Sequence, residues 1–269
     1  MRLGDGEIVV ELDADITRSY YGWLNLVQVG VPVNKFADRL SSLLGGSATK
    51  LVLRLPFSTF HFRPLLLTDI YMAMGLWEPY VCESLSLRKN CIFIDVGAHI
   101  GYYASKALRA VGTKGLVIAI EPDPRNFEVL KENMKGSGLD NYIVYNKAVS
   151  VHRCVNLVTT KNPVLSHVTH TDVQNGTRIE CMTLDSLDCV IDRFRTSNGL
   201  PEVTMLIDVE ESENDVIDSG SLLIRKFKPR IIIEINDFPN SEARRMLEKF
   251  GYSHQMLVPS YYIFESKEE

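Results

Sequence analysis

One carboxylate, one histidine and two glycines stand together in Asp95-Val96-Gly97-Ala98-His99-Ile100-Gly101, directly after the apolar run Cys91-Ile92-Phe93-Ile94. Glycines at that spacing let a chain leave a strand, turn tightly and enter a helix close to a ligand. The ligand is narrowed by what the stretch lacks. A dinucleotide fingerprint needs glycine where His99 stands, and a Walker loop needs a Gly-Lys-Ser/Thr that does not follow. An uncompensated Asp95 repels a phosphate and suits a cation that carries an amino group and a sulfonium. S-adenosyl-L-methionine is such a ligand.

A second acid, Glu121, ends the apolar run Leu116-Val117-Ile118-Ala119-Ile120, roughly 20 residues past the first turn, where an acidic side chain accepts ribose hydroxyls. Asp208 and Glu210 lie two apart at the end of Val203-Thr204-Met205-Leu206-Ile207, so they project to one side. Two carboxylates held together repel, which raises one of them toward use as a base; alternatively they hold a cation. Glu234, at the end of the next apolar run, extends the acidic wall, and His99 is a third candidate for moving a proton. His167 and His170 have a metal-like spacing without a third ligand nearby, and no metal site is predicted from them.

The elements that must position these groups alternate from Cys91 onward. A helix from Ile100 to about Ala110, the Leu116 strand, a helix opened by Pro124 and the Tyr142 to Asn146 strand predict a parallel, doubly wound sheet. Val151 to Thr160 and Thr177 to Leu184 read as an antiparallel pair around a polar loop expected on the substrate side. The Val203 strand, a helix through Val216 to Ile224, the Arg230 strand, a helix from Ser241 to Phe250 and two strands near Ser253 and Tyr261 complete the expected sheet. Residues 1 to 90 lack this alternation and are expected to form an N-terminal cap on a domain covering 91 to 269. Within them, Glu7 to Leu12 and Lys50 to Leu55 read as strands and Asn34 to Leu44 as a helix. Thr68 is the expected cap of a segment containing Ile70, Tyr71 and Met74, and Pro79 opens a further helix.

Taken in order, Ile94 to Tyr103, Glu121-Pro122-Asp123-Pro124, Asn133, Asn146-Lys147-Ala148-Val149, Thr183-Leu184-Asp185, Ile207-Asp208-Val209-Glu210 with Glu213, and Pro229 to Glu234 resemble the FkbM-type S-adenosylmethionine-dependent methyltransferases. The resemblance runs from about Asp69 to the C-terminus. It implies a Rossmann-like class I methyltransferase fold, with a mostly parallel seven-stranded sheet and a reversed edge strand. It also implies a cofactor site made from Glu78, Asp95, Gly97, Ala98, Gly101, Tyr102, Glu121, Pro122, Asn146, Ala148 and Asp208, with Ala148 or Asn146 at the adenine edge. Catalysis falls to Asp208, Glu210 or His99. The implied reaction is methyl transfer to a hydroxyl oxygen of a sugar, lipid head group or secondary metabolite. The family pattern reads Asp-Val-Glu-Gly where this chain has Glu211 in place of the glycine. That departure gives weight to a cofactor-binding regulatory module without turnover, and restoring the glycine is expected to cost some stability near a helix start. An RNA methyltransferase is a third reading.

Composition sets the outer limits. The 269 residues, 45% of them apolar, can bury a sizeable core, and a formal net charge of -5 offers no general attraction for nucleic acid. No run approaches the length of a membrane span, and five scattered cysteines without a Cys-x-x-Cys read as reduced thiols of a cytoplasmic protein.

Overall fold

The computed structural model describes residues 2–4, 7–11, 50–55, 58–63, 67–73, 77–158, 167–169, 176–198 and 201–267. Four short strands come first: β1 (Arg2–Gly4), β2 (Glu7–Glu11), β3 (Lys50–Leu55) and β4 (Ser58–Phe62). They pair in that order, with β2 and β3 parallel and the outer pairs antiparallel. Helices α1 (Leu67–Ala73) and α2 (Pro79–Ser84) lead into β5 (Ile92–Val96), α3 (Tyr102–Val111), β6 (Leu116–Ile120), α4 (Pro124–Gly136) and β7 (Tyr142–Tyr145). A small sheet follows, built from β8 (Ala148–Val149), β9 (Cys154–Val158), β10 (His167–Thr169) and β11 (Thr177–Met182) in the order β10-β9-β11-β8. The chain then runs through α5 (Asp188–Asn198), β12 (Val203–Ile207), α6 (Glu213–Ser219), α7 (Ser221–Phe227), β13 (Arg230–Glu234), α8 (Glu242–Lys249), β14 (Tyr252–Val258) and β15 (Tyr261–Ser266).

The main sheet has the order β14-β15-β13-β12-β5-β6-β7, with β13, β12, β5, β6 and β7 parallel. Every residue of β5, β6 and β12 is buried, as uninterrupted runs such as Leu-Val-Ile-Ala-Ile require when helices cover both faces. Phe93, Val117, Ala119 and Leu206 face α3 and α4 through Ala104, Leu108, Leu130 and Met134. Ile94, Ile118, Met205 and Ile207 face the other layer through Leu187, Ile191, Ile217, Ile224 and Leu247. The chain moves outward from β5 to β6 and β7, then crosses to place β12 on the other side of β5. The order of an open α/β sheet therefore reverses between β5 and β12, where ligands bind beyond the strand ends.

The seven-stranded, mostly parallel α/β sheet is as expected, with several differences in detail. The reversed strand is β15, one place in from the edge, because the C-terminal hairpin inserts its last strand between β13 and β14. The helix expected through Val216 to Ile224 is two helices broken at Gly220, and Thr68 lies inside α1 rather than ahead of it. Strands β1, β4, β8 and β10 and helix α5 were not anticipated, β10 lying within the stretch expected to be a polar loop. The expected helix Asn34 to Leu44 and residue Met74 lie outside the described residues. Among the described residues no helix is long and apolar enough to cross a membrane.

The N-terminal strands are stitched to the main sheet by Asn133 on α4. Its Oδ1 accepts the backbone N–H of His61, and its Nδ2 donates to the carbonyls of His61 and Ile100 at 3.0 and 2.7 Å. Asn133 is buried, so truncation removes one hydrogen bond from each of three backbone groups at the junction. Asn133→Ala is expected to lower the unfolding free energy by about 2–4 kcal/mol, read from urea denaturation. An unchanged midpoint would mean that the β4 contact carries no stability.

Candidate active site

The turn after β5 is built from three residues with positive φ, Gly97 (86°), His99 (50°) and Gly101 (82°). The backbone N–H groups of Gly97 and Ala98 both donate to the carbonyl of Ile120, at 2.9 and 3.0 Å, which pins the turn to β6. A Cβ on Gly97 would lie 1.7 Å from the carbonyl oxygen of Asp208, so glycine is required here by the end of β12 as well as by φ. Gly101 is the N-cap of α3 rather than a residue of its first turn, and it offers no side-chain cap. Asp95 supplies one instead, accepting the N–H of Ala104. Its carboxyl group is buried against the helix, and Oδ2 has no partner among the described residues. Burial, followed by the charge of Asp208, pushes Asp95 up to about 8.

Glu121 is only 5% exposed and reaches the other side of the same turn. Its Oε2 accepts the His99 N–H at 2.8 Å, while Oε1 accepts the Asp123 N–H at 2.8 Å and Asn126 Nδ2 at 3.3 Å. Burial raises it to about 7, against the lowering effect of these three donors. A carboxylate offers about four acceptor positions, so room remains for a further donor. The His99 ring lies beside Arg63, whose Nη2 is 3.1 Å from Nε2. Arginine only donates, so Nε2 accepts and the ring proton sits on Nδ1, a buried atom without a partner among the described residues. Burial lowers the His99 pKa to about 4, and neither nitrogen is free to take a proton from a substrate.

The opposite wall is acidic. Tyr103 donates to Glu78 Oε2 at 2.6 Å, and the Tyr261 hydroxyl lies 3.0 Å from the same atom and 2.9 Å from Asp208 Oδ2. One hydroxyl has one proton, so it cannot serve both carboxylates at once. Asp208 and Glu234 are hydrogen-bonded to each other, which requires a proton between them. Burial and then the charge of Asp208 raise Glu234 to about 8 and Glu210 to about 7, and burial raises Glu78 and Asp208 as well. The pairing of Glu234 with Tyr261 across β13 and β15 brings both to this wall.

Between the two walls lies a cavity of about 290 Å³ at the reversal of strand order. Glu78, Gly97, Ala98, His99, Tyr102, Glu121, Pro122, Ala148, Asp208 and Glu210 line it, as do Tyr103 and Glu234. Asp95, Gly101 and Asn146 do not. Asp95 turns to α3, Gly101 packs on Leu130, and Asn146 ties β7 to β6 by donating to the carbonyls of Glu121 and Pro122 at 2.9 and 3.1 Å. Met72 and Tyr261, which no motif marks, also line it, as do Trp77 next to Glu78, Lys147 of the Asn146 motif and His167 of the polar loop. His167 arrives on β10, so the polar insertion does reach the site. No group of three or more metal-ligating side chains occurs among the described residues.

The profile of the family described as Methyltransferase FkbM domain matches residues 95–254, more than half of the chain. The chain belongs to the FkbM methyltransferase family. A curated relative, protein-L-isoaspartate O-methyltransferase 1 of Archaeoglobus fulgidus, is 29% identical over 106 residues, 36% of this chain and 49% of the relative. The chain thus matches about half the length of that relative. Among solved structures, precorrin-6y C5,15-methyltransferase from Geobacter metallireducens aligns over 72% of this chain and 89% of its own, with 14% identity and a TM-score of 0.43. Methyltransferase FkbM from Methylobacillus flagellatus aligns over 74% and 54%, with 15% identity and a TM-score of 0.38. Family membership makes S-adenosyl-L-methionine the cofactor. The residues present fit it: a buried carboxylate with acceptor capacity to spare stands on one wall, and uncompensated acids suited to a cation stand on the other.

This FkbM-family chain departs from its pattern at Glu211, and the departure is visible in the backbone. Glu210 and Glu211 have φ of 48° and 73°, a conformation that costs a side-chain-bearing residue about 1–2 kcal/mol. Glycine at 211 therefore relieves strain, contrary to the loss expected from helix propensity. Glu211→Gly is expected to raise the unfolding free energy by about 1 kcal/mol, and a lowered midpoint would contradict this. A second expectation concerns pH. Acids with folded pKa values above their ordinary value of about 4 contribute fully to stability below that value and lose the contribution as pH rises through the folded value. With Glu121 and Glu210 near 7 and Asp95 and Glu234 near 8, the melting temperature should fall steadily between about pH 4 and 8. A melting temperature that rises over that interval would contradict the assigned burial.

Proposed function

We propose that the protein transfers a methyl group from S-adenosyl-L-methionine to a hydroxyl oxygen of a small molecule, sugar or lipid head group. The observation that carries this reading is Glu210, a carboxylate on the cavity wall whose pKa is raised to about 7. A general base works best with a pKa near the operating pH, and Glu210 has one. The bound cofactor supplies an electrophilic methyl group on a positively charged sulfur. Glu121 accepts a ribose hydroxyl, Ala148 leaves space at the adenine edge, and Glu78 with Asp208 faces the cofactor's amino group. Glu210 takes the acceptor proton, while the proton shared by Asp208 and Glu234 keeps the neighbouring charge low enough for it to do so. Met72, Trp77 and Glu78, from the part of the chain before β5, close the cavity and exclude water.

Oxygen as the acceptor atom agrees with the name of the Archaeoglobus relative. A carboxylate acceptor fits less well than a hydroxyl, since it would enter beside four acids. The same wall opposes the phosphates of RNA. One observation favours a binding module without turnover: the strained Glu210-Glu211 turn carries the proposed base. Turnover against a panel of hydroxyl compounds, followed as S-adenosylhomocysteine formation, separates the two. On an identified substrate, Glu210→Gln should lower kcat by at least about 10²-fold with little change in cofactor affinity, and wild-type kcat should rise with pH through about 7. Asp208→Asn should lower it by a comparable factor of about 10². If both variants transfer methyl as fast as wild type, the acidic wall is not the base. Cofactor binding without any turnover would support the module.

A further inference from the structure

Arg63 does not line the cavity, yet both supports of Glu121 lead back to it. Its Nη1 donates to Asn126 Oδ1 at 2.8 Å, and Asn126 donates in turn to Glu121 Oε1. Its Nη2 donates to His99 Nε2, and the backbone N–H of His99 donates to Glu121 Oε2. The guanidinium is itself fixed by Asp69, whose carboxylate accepts Nε at 2.7 Å, Nη2 at 3.0 Å and the Arg63 N–H at 3.0 Å. Asp69 is fully buried and Asn126 is buried beside it. His99 holds a φ of 50° that a residue with a side chain resists, and the bond from its ring to Arg63 helps hold it there.

We propose that Arg63 is a positioning residue for the cofactor ribose, fixing the plane of the Glu121 carboxylate through Asn126 on one oxygen and His99 on the other. A ribose hydroxyl needs the acceptor position left open on Glu121 Oε2 turned toward it, and a carboxylate clamped from two sides loses little freedom when it accepts that donor. Only a planar fork reaches Asp69, Asn126 and His99 together, so lysine cannot replace it. The segment from β4 to α1 is then part of the cofactor site rather than a detachable cap. The inference rests on Glu121 being the ribose acceptor.

The test compares two ligands, S-adenosylhomocysteine and its 2′,3′-dideoxy analogue, by calorimetry on the 269-residue chain. Arg63→Met is paired with Asp69→Asn so that no lone charge is left buried. Arg63→Lys and Asn126→Ala are measured alongside, and thermal unfolding shows which variants are folded. The expected result is a loss of about tenfold in affinity for S-adenosylhomocysteine in each folded variant, with affinity for the dideoxy analogue within about twofold of wild type. Equal losses for both ligands would show that Arg63 only holds the fold, and no loss for either would show that Glu121 is positioned without it; each overturns the proposal. If the paired variant unfolds, Arg63→Lys, which keeps the charge beside Asp69 but loses the fork, decides by the same comparison. Glu121→Gln separates the two levels. If it discriminates between the ligands and the Arg63 variants do not, the positioning role alone fails. If it does not discriminate, the ribose assignment fails and the positioning role falls with it.

Discussion

Four adjacent strands of the central sheet, β13, β12, β5 and β6, each deliver a carboxylate to the same edge: Glu234, Asp208, Asp95 and Glu121. Like charges so close, withdrawn from water, cannot all stay ionised without partners. Much of the local architecture answers that constraint. Asp95 caps α3, Glu121 collects N–H groups from two turns, tyrosines 103 and 261 donate to Glu78 and Asp208, and Asp208 shares a proton with Glu234. The remaining imbalance is what a cationic cofactor would correct.

The same constraint draws Arg63, Asp69 and Glu78, all ahead of β5, into the surroundings of the cavity. Glu78 joins the acidic wall, Arg63 and Asp69 connect to Glu121 through Asn126 and His99, and Asn133 binds β4 to α4. The cavity between β5 and β12 is thus closed by residues distant in sequence, which is how a single fold combines a fixed nucleotide site with a variable acceptor side.

Glycine spacing, terminal acids and uninterrupted apolar runs made β5, β6, β12 and β13 readable from the sequence, because a parallel sheet buried on both faces leaves that pattern. It is for this reason that Glu121, Asp208 and Glu210 could be placed at the strand ends that face the cavity. Asp95 was placed correctly at the strand end but in the wrong role, since strand periodicity does not reveal that α3 lacks a cap of its own. Tyr261 and Arg63 were not legible at all. Tyr261 reaches the site through antiparallel pairing with Glu234, and Arg63 through hydrogen bonds spanning 36 and 63 positions. Glu211 was recognised as a departure, but its energetic sign needed the backbone angle.

The cavity's raised carboxylates await a cation, and the protons released on binding report its arrival. Binding of S-adenosyl-L-methionine at pH 7, measured by titration calorimetry in two buffers with different heats of ionisation, should show net release of protons as Glu210 and Glu234 become ionised. S-adenosylhomocysteine, which lacks the sulfonium charge, should release fewer. Binding heats that are independent of buffer, or proton uptake with either ligand, would contradict the account.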